Sequence, residues 1–352
     1  RGTGVQHLPA NKEERLKDRM NQNEERTVYL DHAATTAVDP RVVEAMLPYW
    51  TQEYGNASSI YSLGRQANHA MEKARQTVAD ILNCRPREVT FTSCGTESDN
   101  LALRGVAFDR RSRAKKNHII TSPIEHHAIG HTVEQLVKYF DFEATYVPVD
   151  QYGLIDPDDV EKAIRPDTAL ISIMYANNEV GSIEPVAEIG EIARGHRIPF
   201  HTDAVQAGGT LGLDVKALNI DLMSLSAHKF YGPKGVGVLY ARRDAPFLPM
   251  QTGGAHEFNK RAGTENVAYI VGLATALRLA YEEAEESNAR IAHLRDRLIA
   301  GVLERIPNSQ LSGHPTRRLP NSASFLFEYV EGESILLHLD MMGVAASSGS
   351  AC

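Results

Sequence analysis

Lys229, Asp203, His126 and Cys352 are the side chains that could do chemistry together if folding gathers them. Lys229 lies in Ser226-Ala227-His228-Lys229 and is followed by Gly232-Pro233-Lys234-Gly235. A lysine just after an apolar run, beside a histidine and glycines, is placed for imine chemistry with a carbonyl cofactor. Taken singly, a lysine is more often a surface residue, so its neighbours decide. Asp203 closes His201-Thr202-Asp203, where a carboxylate could pair with a protonated ring nitrogen and keep the ring an electron sink. Gln206 and Asn178 could bond ring substituents, and His126 could stack on the ring face. Without the lysine, Asp203 and Asn178 read as turn or cap residues.

Ser93-Cys94-Gly95-Thr96 reads as a turn from strand into helix. Gly95 permits close backbone approach, and a helix N-terminus offers free N–H groups with partial positive charge. With the Thr96 hydroxyl this makes a cradle for an anion, phosphate being the obvious one, although most such turns are simple caps. A metal cluster could be drawn from His126, His127, His201, Asp203 and His228. They lack a paired spacing such as H-E-x-x-H, and a lysine-centred site explains more of them.

Cys84, Cys94 and Cys352 are the three cysteines, which fit neither a disulfide framework nor a tetrahedral zinc site. Cys352 ends Ser347-Ser348-Gly349-Ser350-Ala351-Cys352, a small and polar run expected to be a mobile loop. There a thiol is accessible, and any cysteine chemistry belongs to it alone. Cys84 and Cys94 read as structural.

The elements that must position these groups follow from the apolar pattern. Strands are predicted at residues 88–93, 118–122, 144–149, 170–175, 198–201, 221–226 and 236–240. Continuous Val/Ile/Leu/Phe runs suit strands buried on both faces. Helices are predicted at 67–83, 95–106, 132–140, 157–164 and 185–195, so the order is strand–helix–strand throughout, the pattern of an α/β layered domain. Two long amphipathic helices, 268–286 and 288–305, a strand at 322–329 and a helix at 333–342 then form a second domain. In open α/β sheets ligands sit beyond the carboxyl ends of the strands. Cys94 to Ser98, Glu125 to His127, Asn177 to Glu179, Asp203 to Gln206 and His228-Lys229 each follow a predicted strand, so five strand ends point to one region.

A net charge of −8 gives no reason to expect nucleic acid or an anionic membrane as partner. No apolar stretch approaches the roughly 20 residues of a membrane helix. Residues 1–26 contain Glu13, Glu14, Asp18, Glu24 and Glu25 without an apolar core, which fits neither a signal nor a transit peptide. They are expected to be a flexible extension, with Met20 a plausible native start and the chain cytoplasmic.

Read in order, Tyr29 to Thr36, Gly55-Asn56-Ala57-Ser58-Ser59, Thr96-Glu97-Ser98-Asp99-Asn100, Asn177 to Gly181, His201 to Gln206, Ser226 to Lys229, Arg261-Ala262-Gly263-Thr264 and Ser347 to Cys352 form one series. In that order the sequence resembles the group I cysteine desulfurases of the NifS/IscS type, within the class V aminotransferase-like pyridoxal-phosphate (PLP) enzymes.

The resemblance implies an aspartate aminotransferase-like α/β fold: a large PLP domain over 27–267 with a mostly parallel seven-stranded sheet, and a smaller α+β domain over 268–352. Lys229 would hold PLP and move the substrate's protons, with His126 over the ring. Asp203 would face the pyridine nitrogen and Gln206 the ring hydroxyl. Gly95, Thr96, Ser226 and His228 would hold the phosphate, joined by Thr264 from the partner subunit of a homodimer. Asn178 would contact cofactor and substrate carboxylate. L-cysteine would give L-alanine and a persulfide on Cys352, passed to an acceptor protein such as an iron–sulfur scaffold or used in thiolation.

The family continues past this cysteine to an arginine that grips the substrate carboxylate, so the second domain is expected to be truncated at Cys352. Residues 253–260 also depart from the family's glycine-rich form. Alternatives are a selenocysteine lyase, another class V PLP enzyme, or a non-catalytic partner subunit of the same fold. The thiol at Cys352 argues against an aminotransferase, and the joint presence of Lys229, Asp203, His126 and Cys352 against a non-catalytic subunit.

Overall fold

The computed structural model describes residues 27–349. The extension 1–26 and Cys352 lie outside the described residues.

All seven predicted strands form one sheet: β2 (Val89–Thr92), β3 (His118–Thr121), β4 (Glu143–Tyr146), β5 (Thr168–Ser172), β6 (Phe200–Asp203), β7 (Leu222–Ser226) and β8 (Gly237–Ala241). Their order is β2-β8-β7-β6-β5-β3-β4. The pairs from β4 through β7 are parallel, and β8 runs antiparallel to both β7 and β2. The sheet is therefore mostly parallel, as expected.

Strand periodicity explains why apolar residues stand side by side in several of these strands. Ile119, Leu170, Leu222 and Leu239 enter one buried cluster, whereas their neighbours Ile120, Ile171, Met223 and Val238 enter another. Successive side chains point to opposite faces, so both faces are covered by helices. The chain elements before the sheet are β1 (Val28–Tyr29), α1 (Pro40–Met46), α2 (Pro48–Thr51) and α3 (Ser62–Leu82). Within it run α4 (Gly95–Ala114), α5 (His127–Phe140), α6 (Pro157–Lys162) and α7 (Val186–Gly195). After it come α8 (His256–Asn259), α9 (Val267–Glu282) and α10 (Ala284–Arg305). Helices α4 and α5 supply one cluster; α3, α7 and α9 supply the other.

Several boundaries differ from expectation for identifiable reasons. Helix α5 starts at His127 because the His126 ring caps it, accepting from Ala128 N at 3.1 Å. Helix α1 was not anticipated, although Asp39 caps it through Arg41 N and Pro40 opens it. The long helices part at Glu283 instead of near Ser287. β9 (Ser309–Ser312) is too polar to read as a strand, yet it pairs antiparallel with β10 (Ser324–Phe327).

The described chain falls into two compact units. One spans 32–328, so α9, α10, β9 and β10 belong with the large sheet, whereas sequence placed a break after 267. Helix α9 buries Ile270, Leu273, Ala274 and Leu277, which ties it to that core. The other unit contains residues 27–31 and 329–349: β1 pairs parallel with β11 (Val344–Ala345), preceded by α11 (Gly332–Met341). In it Ser347 Oγ donates to Asp31 Oδ1 at 2.7 Å. No helix among the described residues is long and apolar enough to cross a membrane.

Candidate active site

Strand β2 ends at Thr92, and Cys94 caps α4, its sulfur accepting from Glu97 N at 3.4 Å. The first residue of α4 must be small. A Cβ on Gly95 would lie 2.8 Å from Val205 and 3.4 Å from Ser226 Cβ. Gly237, paired with Ser226, is equally constrained, since its Cβ would stand 2.8 Å from Cys94 O. These contacts place the helix N-terminus against the ends of β6 and β7, with Ser226 buried and Thr96 exposed beside it. Gly95, Thr96 and Ser226 thus stand together at one helix N-terminus, a geometry with which an anion is compatible.

Lys229 closes a single 3-10 turn, Ala227–Lys229, that continues β7. Its Nζ donates to Ala34 O at 2.9 Å and also to Ala33 O. Gln206 Nε2 reaches the same Ala33 carbonyl at 3.0 Å. His228 Nδ1 lies 3.1 Å from Thr35 Oγ1, while His228 O accepts from Thr36 N and Thr36 Oγ1, both at 2.9 Å. Burial first, then the charges of Lys229 and Lys234, push the His228 pKa down to about 4. At neutral pH its ring is uncharged, able to donate through one nitrogen only.

Asp203 ends β6, is 6% exposed, and accepts from Val205 N at 2.9 Å. Burial raises its pKa, against that backbone bond and the charges of His126 and Lys229. Burial likewise lowers the His126 pKa, opposed by Asp203 and assisted by Lys229. The His126 Nδ1 accepts the α5 capping bond, so in the neutral ring the proton sits on Nε2. Side-chain polar atoms of Asp99, His126 and Asp203 lie within 4.8 Å of one another. Beside them Glu125 is half-buried with its Oε2 enclosed, its Oε1 accepting from Ser122 Oγ at 2.7 Å and Met174 N at 2.9 Å. An open cavity of about 600 Å³ runs from Thr96 and His126 along α5 past His131 and Tyr139.

Asn178 is held by its neighbour. Asn177 Oδ1 accepts from Glu179 N and Val180 N, both at 2.9 Å, and Asn177 Nδ2 donates to Ile124 O at 3.1 Å. This turn fixes the position of Asn178 after β5.

The loop after α8 carries Thr264. Arg261 ties it to the start of α4, with Nε 2.7 Å from Glu97 Oε1 and Nη2 3.2 Å from Oε2. Thr264 is itself exposed, and no hydrogen bond among the described residues joins it to the Gly95–Ser226 cradle. Sequence reading thus assigned Lys229, Asp203, His126, Gly95, Thr96, Ser226, His228, Gln206 and Asn178, which the fold brings to the carboxyl ends of the strands. It gave no role to the carbonyls of Ala33 and Ala34, or to Glu97, Asp99, Glu125 and Arg261. Asp99 and Glu97 stood in a quoted motif; the backbone carbonyls leave no side-chain signal at all.

A family model described as aminotransferase class-V matches residues 28–352. The chain belongs to the class-V aminotransferase family. It is 56% identical over 329 residues to "Cysteine desulfurase IscS" of Methanosarcina thermophila, covering 94% of this chain and 80% of that one. A solved "NifS-like protein" superposes with a TM-score of 0.88 at 40% identity, covering 91% of this chain and 87% of that one. A structure titled "SspA in complex with cysteine" has a TM-score of 0.80 at 36% identity, with 92% and 90% covered. Class-V aminotransferases of this kind are PLP-dependent. The residues present fit that group. A helix N-terminus with a glycine that admits no Cβ suits its phosphate, a buried carboxylate suits its ring nitrogen, and a lysine beside both suits its aldehyde.

Proposed function

We propose that this class-V aminotransferase is a cysteine desulfurase that converts L-cysteine to L-alanine and leaves the sulfur as a persulfide on Cys352. The observation that carries the reading is the convergence of Lys229, Asp203, His126 and the Gly95 cradle at adjacent strand ends. The desulfurase named among its relatives and the cysteine-bound neighbour support the choice of substrate.

PLP, when bound, supplies an electron sink for the substrate's α carbon. Lys229 would hold it through the ε-amine and would take and return the substrate's protons at Nζ. Asp203 holds the proton on the ring nitrogen. Gly95, Thr96, Ser226 and neutral His228 bind the phosphate, joined by Thr264 of the partner subunit in a homodimer. Gln206 bonds the ring hydroxyl, Asn178 orients the substrate carboxylate, and His126 covers the ring and moves a proton at Nε2. Overall the substrate C–S bond breaks, an S–S bond forms to the Cys352 sulfur, and the β carbon gains a proton in place of sulfur. The persulfide passes to an acceptor protein, in iron–sulfur cluster assembly or thiolation, in the cytoplasm.

The test is the visible spectrum of the purified, PLP-loaded protein, followed by L-cysteine and a reductant. Sulfide and alanine in equal amounts are expected. A protein that cannot be coloured by PLP, or one that releases alanine without sulfide, overturns the reading.

A further inference from the structure

The site holds two carboxyl groups, Asp99 and Glu125, that the proposed chemistry does not use. Asp99, on the second turn of α4, is 1% exposed. Its Oδ1 is buried with no hydrogen-bond partner among the described residues. His201 Nε2 stands 3.7 Å from that oxygen, beyond hydrogen-bond reach, and sits 3.0 Å from Ser224 Oγ. The other ring nitrogen of His201 lies 2.9 Å from Ser172 Oγ. Burial pushes the His201 pKa down to about 3, so the ring offers Asp99 no positive charge. Around Asp99 stand Asp203 and neutral His201 from β6, Glu125 and His126 ahead of α5, Cys94 at the start of its own helix, and the Ser224 hydroxyl from β7.

Two carboxylates within 4.8 Å of each other in a buried site oppose one another's ionisation. Asp203 has cationic company in Lys229, whereas Asp99 has none, and an oxygen lacking a donor is the natural seat of a proton. We propose that Asp99 is a positioning residue for the cofactor: it stays a neutral acid beside an ionised Asp203, so the pair presents a single negative charge to the pyridine nitrogen. Burial first, then the neighbouring Asp203, raise the Asp99 pKa against a hydrogen bond from Ser224, in the direction this requires. The inference rests on the reading that Asp203 faces that nitrogen.

Infrared difference spectra of the PLP-free protein at neutral pH test the Asp99 proton independently of the ring. Wild type minus Asp99→Asn should show the C=O stretch of a protonated carboxyl, and Asp203→Asn should shift it. Absence of that band overturns the proposal. PLP binding then tests positioning. Asp99→Asn keeps a neutral polar group of the same shape and should bind PLP within about threefold of wild type, whereas Asp99→Leu should bind about ten- to a hundredfold more weakly. Equal affinity in all three proteins overturns the positioning role. An unchanged visible spectrum in PLP-loaded Asp203→Asn instead overturns the ring assignment, and with it the cofactor half of the proposal.

Discussion

Arg261 and Glu97, far apart in sequence, form a two-point ion pair with Nε–Oε1 at 2.7 Å and Nη2–Oε2 at 3.2 Å. Glu97 Oε2 also accepts from Ser93 N at 2.6 Å, so one carboxylate holds both the proposed phosphate turn and the loop that bears Thr264. Burial disfavours the charge on Glu97, but the bonds from Arg261 and Ser93 outweigh it and lower its pKa.

Arg261→Ala should therefore loosen the turn without unfolding the chain. PLP affinity is expected to fall about five- to fiftyfold, the range for losing one charge-assisted contact. Arg261→Lys should recover only part, because an ammonium cannot reproduce the planar fork. Fluorescence titration of PLP-free protein measures this, and an unchanged dissociation constant for Arg261→Ala would refute the coupling.

Arg75 and Glu257 anchor the far side of the same loop. Both side chains are nearly fully buried, with contacts of 2.7 and 3.0 Å, and the guanidinium lies over the rings of Phe91 and Phe258. Glu257, Phe258 and Asn259 all take positive φ, a run of strained backbone that this pair holds in place. Glu257→Gln leaves the buried guanidinium only the half-exposed Glu72, 3.2 Å from its Nε, and should cost up to about 3–5 kcal/mol. Replacing both, as Arg75→Met with Glu257→Leu, should cost less than the single change. Urea midpoints decide it, and a double variant less stable than Glu257→Gln would count against this account.

The sheet was legible because burial on both faces writes itself as uninterrupted apolar runs; Ile119-Ile120 and Leu170-Ile171 each serve two cores. Site residues placed just after such runs, Lys229 and Asp203 above all, were legible for the same reason. Asp99 was not, since an acid on a helix ordinarily faces water, and only the fold shows it enclosed. The Ala33 and Ala34 carbonyls that receive Lys229 belong to the backbone, which carries no residue-type signal. Strand β9 went unseen because Ser-Gln-Leu-Ser has little β propensity and its pairing with β10 is tertiary.

Cys352→Ala should keep the visible band of the PLP-loaded protein yet lose persulfide formation, because the thiol is assigned to sulfur capture and not to cofactor binding. Lys229→Ala should do the reverse and lose the band. Alkylation-coupled mass spectrometry after exposure to L-cysteine reads the persulfide directly. A sulfur adduct on Cys94 in the Cys352→Ala protein, with wild-type turnover, would move the assignment to another thiol.

Glu125 gives the chain a pH dependence of definite sign. Burial pushes its pKa up from 4.5 to about 8, against the bonds from Ser122 and Met174. The folded state thus keeps a proton that the unfolded chain releases near pH 4.5, so more protons are bound in N than in U across that window. Stability from this group is fully present below the unfolded value and falls by up to about 1.4 kcal/mol per pH unit until about pH 8. Glu125→Gln keeps the shape and removes the proton, so its stability should decline less steeply between pH 5 and 8 than the wild type's. Urea unfolding of the PLP-free proteins across that range measures the slopes. Parallel slopes would show that Glu125 is ionised in the folded chain.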